Sequence, residues 1–256
     1  MTVRLEWASA TVARLIIDNP AHRNAVTLAM WGELSSHCAA LADSPARVVI
    51  LRGAGETAFS TGADLWEFQT QRNDPAAVAR YDAAISAAMA AVRDLPMPVI
   101  AQLSGLCVGG GLALAAMADL RIAGADCRFG IPAGKLGIAY RRDWIDRIAG
   151  LTGTAPVTEM LLTAAMVPAD VALRWGLINR LCPALELAAT VEDDARRMSA
   201  LAPLSLRATK AALAARAGHG TPAEADRMVV ACDLSQDYQR GIDAFRSGVV
   251  PQFEGN

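Results

Sequence analysis

Apolar and polar positions follow two rhythms along the first half of the chain. Residues 3–7 and 12–17 are β-rich runs separated by a short polar stretch, which predicts a hairpin. From residue 27 to 41 the spacing becomes helical, with Leu28, Trp31, Leu34 and Leu41 marking one face. Residues 48–51 predict a short buried strand, and the turn-rich stretch 53–64 holds an extended piece at 58–60. An alanine-rich helix over 76–92 stops before Pro96, and 99–103 is the next buried strand. Residues 120–123 and 127–129 predict two more strands.

Past Leu136 the strand pattern fades. Helical spacing covers 144–151, 156–162, 168–175, 185–200, 204–217, 222–234 and 238–245, with a single short strand at 178–181. Strands first and helices later predict an α/β core, residues 1–200, carrying an all-helical region, residues 201–256. Recurrent strand, strand, helix units in the first half favour a spiral of repeats over a flat doubly wound sheet.

Two glycine-containing turns interrupt these runs. Gly109, Gly110 and Gly111 close the apolar run that starts at Val99 and open another from Leu112 to Met117. A buried strand, a turn without side chains and a helix N-terminus let a ligand approach the backbone and meet free N–H groups. The second turn is Phe59-Ser60-Thr61-Gly62-Ala63-Asp64. Small residues at either place also suit tight packing.

Composition narrows the function classes. The 256 residues are 53% hydrophobic, enough for a substantial core, and 24 basic against 26 acidic residues give a formal charge of −2. No basic block tracks a phosphate backbone, so nucleic acid is not an expected partner. Residues 99–118 approach membrane-spanning length with Gln102 and Ser104 as the clearly polar side chains, yet Pro98 and the three glycines interrupt the pattern and favour a buried strand and helix. Cys38, Cys107, Cys127, Cys182 and Cys232 are scattered, without CxxC pairs or histidine clusters, which fits a reducing compartment and no metal site. With Arg4 and Glu6 near the start and no basic-then-apolar leader, the expectation is a cytoplasmic protein.

Four segments together resemble the crotonase superfamily, the enoyl-CoA hydratase/isomerase family. They are Asn19-Pro20-Ala21-His22-Arg23-Asn24-Ala25, the turn from Phe59 to Leu65, Ser104 to Leu114, and Phe129-Gly130-Ile131-Pro132 leading to Lys135-Leu136-Gly137. Asp237-Tyr238-Gln239-Arg240-Gly241 through Phe253 resembles the family's closing helix. The resemblance implies a crotonase-like (ββα) spiral core, a helical trimerisation region, and an acyl-CoA substrate with no permanently bound cofactor. It places an oxyanion hole at the backbone N–H groups of Ala63 and Gly110. It puts CoA contacts at Arg23 and along Ala63, Asp64 and Leu65, with Lys210 and Phe253 reaching a phosphate or the adenine, if need be across a subunit boundary. Arg23 read without the family is equally a solvated loop arginine.

The chain departs from the hydratase pattern at two places. Hydratases of this family position water with two glutamates, one two residues past the glycine triplet and one after the Phe-Gly-x-Pro element. Here those places hold Ala113 and Ala133. Two missing acid–base groups, each worth about 10²–10⁴ in rate, argue against ordinary hydration. Leu136-Gly137-Ile138-Ala139-Tyr140 resembles the Leu-Gly-x-x-Tyr of methylmalonyl-CoA decarboxylases, which makes Tyr140 a candidate to orient a carboxylate or deliver a proton, with Arg141 beside it. Tyr140 as a pocket cap, and Asp143 as a helix cap, read equally well. Glu67, between Trp66 and Phe68, is a second candidate facing the acyl group. Decarboxylation or isomerisation through Tyr140 or Glu67 therefore stands beside a non-catalytic acyl-CoA binder. Met228, Val229 and Leu234 need a surface to cover, and the resemblance implies a homotrimer or dimer of trimers.

Overall fold

The computed structural model describes the backbone of all 256 residues and every side chain except that of Gln69. Strands β1 (Thr2–Trp7) and β2 (Val12–Asp18) form the expected antiparallel hairpin. A single 3₁₀ turn at Pro20–His22 leads to helix α1 (Leu28–Ala42), whose Thr27 side chain caps the Met30 N–H. Then come β3 (Val48–Gly53), β4 (Ala58–Ser60), a short helix α2 (Leu65–Gln71), and α3 (Pro75–Arg93), which starts with Asp74 as cap and Pro75 in its first turn. The next units are β5 (Val99–Leu103), β6 (Leu106–Val108), α4 (Gly110–Met117), β7 (Leu120–Gly124) and β8 (Arg128–Gly130).

The spiral follows from how these strands are dealt out. The hairpin β1-β2 opens a six-stranded sheet, and from β3 to β8 the first strand of each pair joins that sheet while the second joins a four-stranded one; with β9 (Val167–Pro168) and β10 (Arg180–Cys182) the orders are β1-β2-β3-β5-β7-β10 and β4-β6-β8-β9. From β2 onward the large sheet is parallel. Both its faces are covered, which explains why its strands read as continuous apolar runs. One face, with Leu15, Val49, Leu51 and Ala101, packs into the main core with Trp31, Tyr81, Phe59 and Phe129. The other, with Val12, Val48, Ile50, Ile100 and Ile122, packs on Leu187, Val191 and Ala195.

After the 3₁₀ turn Pro132–Leu136 the chain is mostly helical: α5 (Arg142–Thr152), α6 (Thr154–Thr163), β9 (Val167–Pro168), α7 (Ala169–Arg174), β10 (Arg180–Cys182), α8 (Leu187–Ser199), α9 (Pro203–Arg216), α10 (Pro222–Asp233) and α11 (Gln236–Ser247). The strand expected at 178–181 begins at Arg180: the Leu177 N–H turns back to the Ala172 carbonyl, and the Asn179 N–H then reaches β7 at the Arg121 carbonyl. Helix α9 and the segment after α11 fold back on the core. Lys210 Nζ pairs with Asp119 at 2.6 Å and reaches the Met97 carbonyl, while Arg47 bonds the carbonyls of Ser199 and Phe253. Among the described residues no helix is long and apolar enough to cross a membrane.

Candidate active site

The two glycine turns meet. A Cβ on Gly110 would lie 3.5 Å from the Ala63 nitrogen, and one on Gly62, at φ +90°, would come within 2.6 Å of the Gly110 nitrogen. Only a residue without a side chain fits at Gly62, on both counts of conformation and space. Gly111 is equally constrained, since a Cβ there would strike the Ser60 carbonyl at 2.3 Å.

Buried polar side chains fix the first turn. Asn24 Nδ2 donates to the Ala58 carbonyl at 2.7 Å and the Ala54 carbonyl at 3.0 Å, and its Oδ1 accepts from the Asn19 N–H. Ser60 Oγ donates to the Asn24 carbonyl at 2.7 Å and accepts the Gly62 N–H at 3.0 Å. The chain from Gly62 to Asp64 is further paired with Val26, whose N–H and carbonyl take both neighbours of Ala63. That leaves the Ala63 N–H pointing off this ladder; neither it nor the Gly110 N–H has an acceptor among the described residues. Such preorganised orphan donors are what a developing oxyanion requires.

Ala63 and Gly110 line a cavity of about 170 Å³ together with Trp31, Phe68, Ile85 and Ala133. The two places that would carry acids are methyl groups here: Ala133 on the cavity wall and Ala113 fully buried in α4. Tyr140 also lines it, and its hydroxyl donates to the Gly109 carbonyl at 2.9 Å, next to the orphan N–H of Gly110. Its ring meets Trp144 edge to face at 5.2 Å. Burial, with smaller contributions from Cys107 and Asp143, pushes the phenol well above its ordinary range, so it stays protonated. The same carbonyl receives the Ala113 N–H at 3.1 Å.

The structure places the other sequence candidates apart. Glu67 does not line the cavity; its carboxylate accepts the Leu28 N–H at 2.6 Å and so caps α1 beside Thr27. A carboxylate at a helix N-terminus is held both by the free N–H and by the macrodipole, which accounts for the residue without chemistry on a substrate. Asp64 is buried, caps α2 through the Trp66 N–H, and lies 3.5 Å from His22 Nδ1. Leu65 follows it, exposed at the cavity edge. Arg23 is exposed in the left-handed region, φ +53°, with its carbonyl accepting the Thr61 N–H. Lys210 is occupied by Asp119 and Met97, and the Phe253 ring packs near Gly241 in a separate crevice between α9 and α11. Within this chain neither reaches the cavity of Ala63 and Gly110.

Two cavity residues were not foreseen. Arg72, at the end of α2, forms an ion pair with Asp82 of α3, and Arg141 approaches the same carboxylate at 3.7 Å. The three belong to different elements, so no local spacing announces them. Among the described residues no cluster of His, Cys, Asp or Glu is arranged to hold a metal ion.

Known proteins share this chain's sequence and fold. The family model for enoyl-CoA hydratase/isomerase matches residues 8–256. A crotonyl-CoA hydratase of Syntrophomonas wolfei is 32% identical over 243 residues, covering 91% of each chain. A carnitinyl-CoA dehydratase of Proteus mirabilis is 33% identical over 201 residues, 78% of this chain and 76% of that one. A crystal structure described as an enoyl-CoA hydratase/carnitine racemase from Magnetospirillum magneticum superposes with a TM-score of 0.93 at 35% identity, covering 99% of this chain and 96% of that one. With the spiral core, helical C-terminal region and paired glycine turns already in place, these matches establish that the chain belongs to the enoyl-CoA hydratase/isomerase family, the crotonase superfamily of enzymes.

Proposed function

We propose that this protein processes an acyl-CoA thioester by binding its carbonyl oxygen between the N–H groups of Ala63 and Gly110 and stabilising the enolate that forms there. The observation that carries this reading is the pair of orphan backbone donors held side by side at one cavity. Coenzyme A enters as part of the substrate. In this reading Arg23, exposed beside the Thr61 turn, meets its phosphates and exposed Leu65 forms the adjoining rim, with buried Asp64 capping α2 beneath it.

Ordinary hydration does not fit the same cavity. Ala113 and Ala133 offer no group to activate water, and Tyr140 spends its proton on the Gly109 carbonyl. With Glu67 capping α1, the side chains left for the reaction are those of the cavity itself. Loss of two acid–base groups predicts hydration slower by about 10⁴ or more than in a glutamate-bearing relative.

Infrared difference spectra with butyryl-CoA labelled ¹³C at the thioester carbonyl test the central claim. Its stretch is expected to fall in frequency on binding. An unshifted stretch, or no binding of the thioester by calorimetry, overturns the oxyanion assignment. With crotonyl-CoA the conjugated enoyl absorbance is expected to persist, and its loss at the rate of a glutamate-bearing relative refutes the argument from Ala113 and Ala133. A carbonyl shift with no turnover of any CoA ester supplied favours an acyl-CoA binder.

The subunit assembly belongs to the same reading. Exposed Val229, Val230, Leu234 and Phe245 on α10 and α11 support a homotrimer or a dimer of trimers, and a solution mass equal to one chain refutes it.

A further inference from the structure

One wall of the acyl cavity is charged. Arg72 and Arg141 face one carboxylate of the cavity lining, Asp82, while Arg141's second partner, Asp143, lies outside that lining; the cavity wall itself therefore carries two guanidinium groups against one carboxylate. The guanidinium of Arg72 lies 4.9 Å from the Phe68 ring centroid and 5.6 Å from that of Tyr81, which fixes its plane. Arg141 lies over one ring, Trp144, at 5.6 Å, and its ionic contacts are looser than that of Arg72. Its contacts with Asp82 and Asp143 are 3.7 and 3.5 Å, beyond the short range of a strong charge-assisted bond.

The helix that follows reinforces the positive field. Arg141 is the N-cap of α5 and Arg142 its first residue, with no capping side chain accepting the free N–H groups. Cations at a helix N-terminus oppose the macrodipole, and Asp143 in the first turn is the acid that offsets them. Trp144, on the same helix and lining the cavity, is buried with its Nε1 lacking an acceptor among the described residues. That nitrogen is closed to solvent, so it is a stability cost of the wall and not a donor open to a ligand. Apolar Trp31, Phe68 and Ile85 line the remainder of the space, which suits an acyl chain better than a diphosphate.

Resting on the acyl-CoA reading above, we propose that Arg141, seconded by Arg72, binds a carboxylate carried on the acyl group, so that the substrate class is the CoA thioester of a dicarboxylic acid. Asp82 bridges the two guanidinium groups in the free protein and is the internal counter-ion that the substrate carboxylate supplements. The charged wall thereby selects against plain alkyl chains of the same length, which would leave the arginines desolvated and half-paired.

Calorimetric titration of the full-length protein tests this with length-matched pairs: succinyl- against butyryl-CoA, glutaryl- against valeryl-CoA and adipoyl- against hexanoyl-CoA, with CoA alone as reference. At least one dicarboxylic member is expected to bind about tenfold or more tightly than its uncharged partner. R141Q is expected to abolish that preference while leaving the affinity for CoA alone unchanged, R141K to restore part of it, and D82N to enlarge it. Equal affinity within every pair overturns the carboxylate proposal and leaves the acyl-CoA reading standing. An R141Q protein that loses CoA and every ester equally shows that the anion recognised is a CoA phosphate, which also overturns it. If no ester binds, both readings fail together.

Discussion

Replacing Tyr140 with phenylalanine separates a phenol that holds the oxyanion turn from one that moves a proton. The substitution removes a single 2.9 Å hydrogen bond to the Gly109 carbonyl. It opens no cavity and keeps the edge-to-face contact with Trp144. The Gly109 carbonyl is not orphaned, because the Ala113 N–H still reaches it at 3.1 Å. The loss is therefore that of one ordinary bond, about 0.5–1.5 kcal/mol. For a chain of this size that corresponds to a fall in Tm of roughly 2–4 °C per kcal/mol. If Gly110 shifts by a comparable energy in the reacting complex, turnover drops by no more than about tenfold. Because burial holds the phenol above its ordinary range, its titration should not shape a pH–rate profile between about pH 6 and 9 in either protein. The assay is CO₂ release from methylmalonyl-CoA, with Tm and the bound thioester carbonyl stretch measured on the same samples. A fall of about 10²-fold or more at unchanged Tm and unchanged carbonyl stretch refutes the holding role and assigns Tyr140 to proton delivery.

Other substitutions separate scaffold from chemistry. Glu67→Ala removes the carboxylate from the Leu28 N–H and is expected to cost about 0.5–2 kcal/mol of stability, read by denaturant unfolding, with thioester binding intact; a rate loss of about 10²-fold without destabilisation would place Glu67 in the reaction. Gly62→Ala forces a side chain into φ +90° and against the Gly110 nitrogen, so the carbonyl stretch should revert towards that of free thioester and turnover should fall about 10²–10³-fold; an unchanged stretch contradicts the donor geometry. At Asp237, burial raises the carboxyl, but bonds from the Glu254 N–H, the Arg240 guanidinium and the Gly255 N–H outweigh it, and the net is below the ordinary value. A depressed carboxyl stabilises at neutral pH and loses that contribution as pH falls through its folded pKa, so the protection factors of the Glu254 and Gly255 N–H groups should fall in acid, and equal protection factors at neutral and acid pH refute it.

How much of this was legible in the sequence depended on the range of the interaction concerned. The hairpin, the buried parallel strands and the long helices α1 and α3 announce themselves through hydrophobic period, because each element buries a face set by local spacing. Strands β6 and β9 and helix α2 are too short to show a period, and exist because a neighbouring strand or turn takes their backbone groups. The glycine turns were visible because close backbone approach leaves a compositional mark, and the family resemblance singled out Ala63 and Gly110 within them. Glu67 misled for the opposite reason: an acid among aromatic residues looks like a pocket acid, and its partner is a backbone N–H thirty-nine positions earlier. The pairing of Arg72 and Arg141 on Asp82 left no mark at all, since three exposed-looking charges on three elements converge only when the helices pack.

The proposed oxyanion donors are main-chain atoms, secured by Asn24, Ser60 and glycines that tolerate no side chain. For an inhibitor this has a practical meaning. A compound anchored to those two N–H groups touches nothing that a side-chain substitution at the point of contact can take away. Resistance would have to come through Gly62, Gly111 or the buried asparagine and serine, where change damages the turn itself. By contrast, a compound that draws its affinity from Arg141 is one substitution from failure. The backbone half of the pocket is thus the durable target, and the arginine half is where selectivity among relatives would be sought.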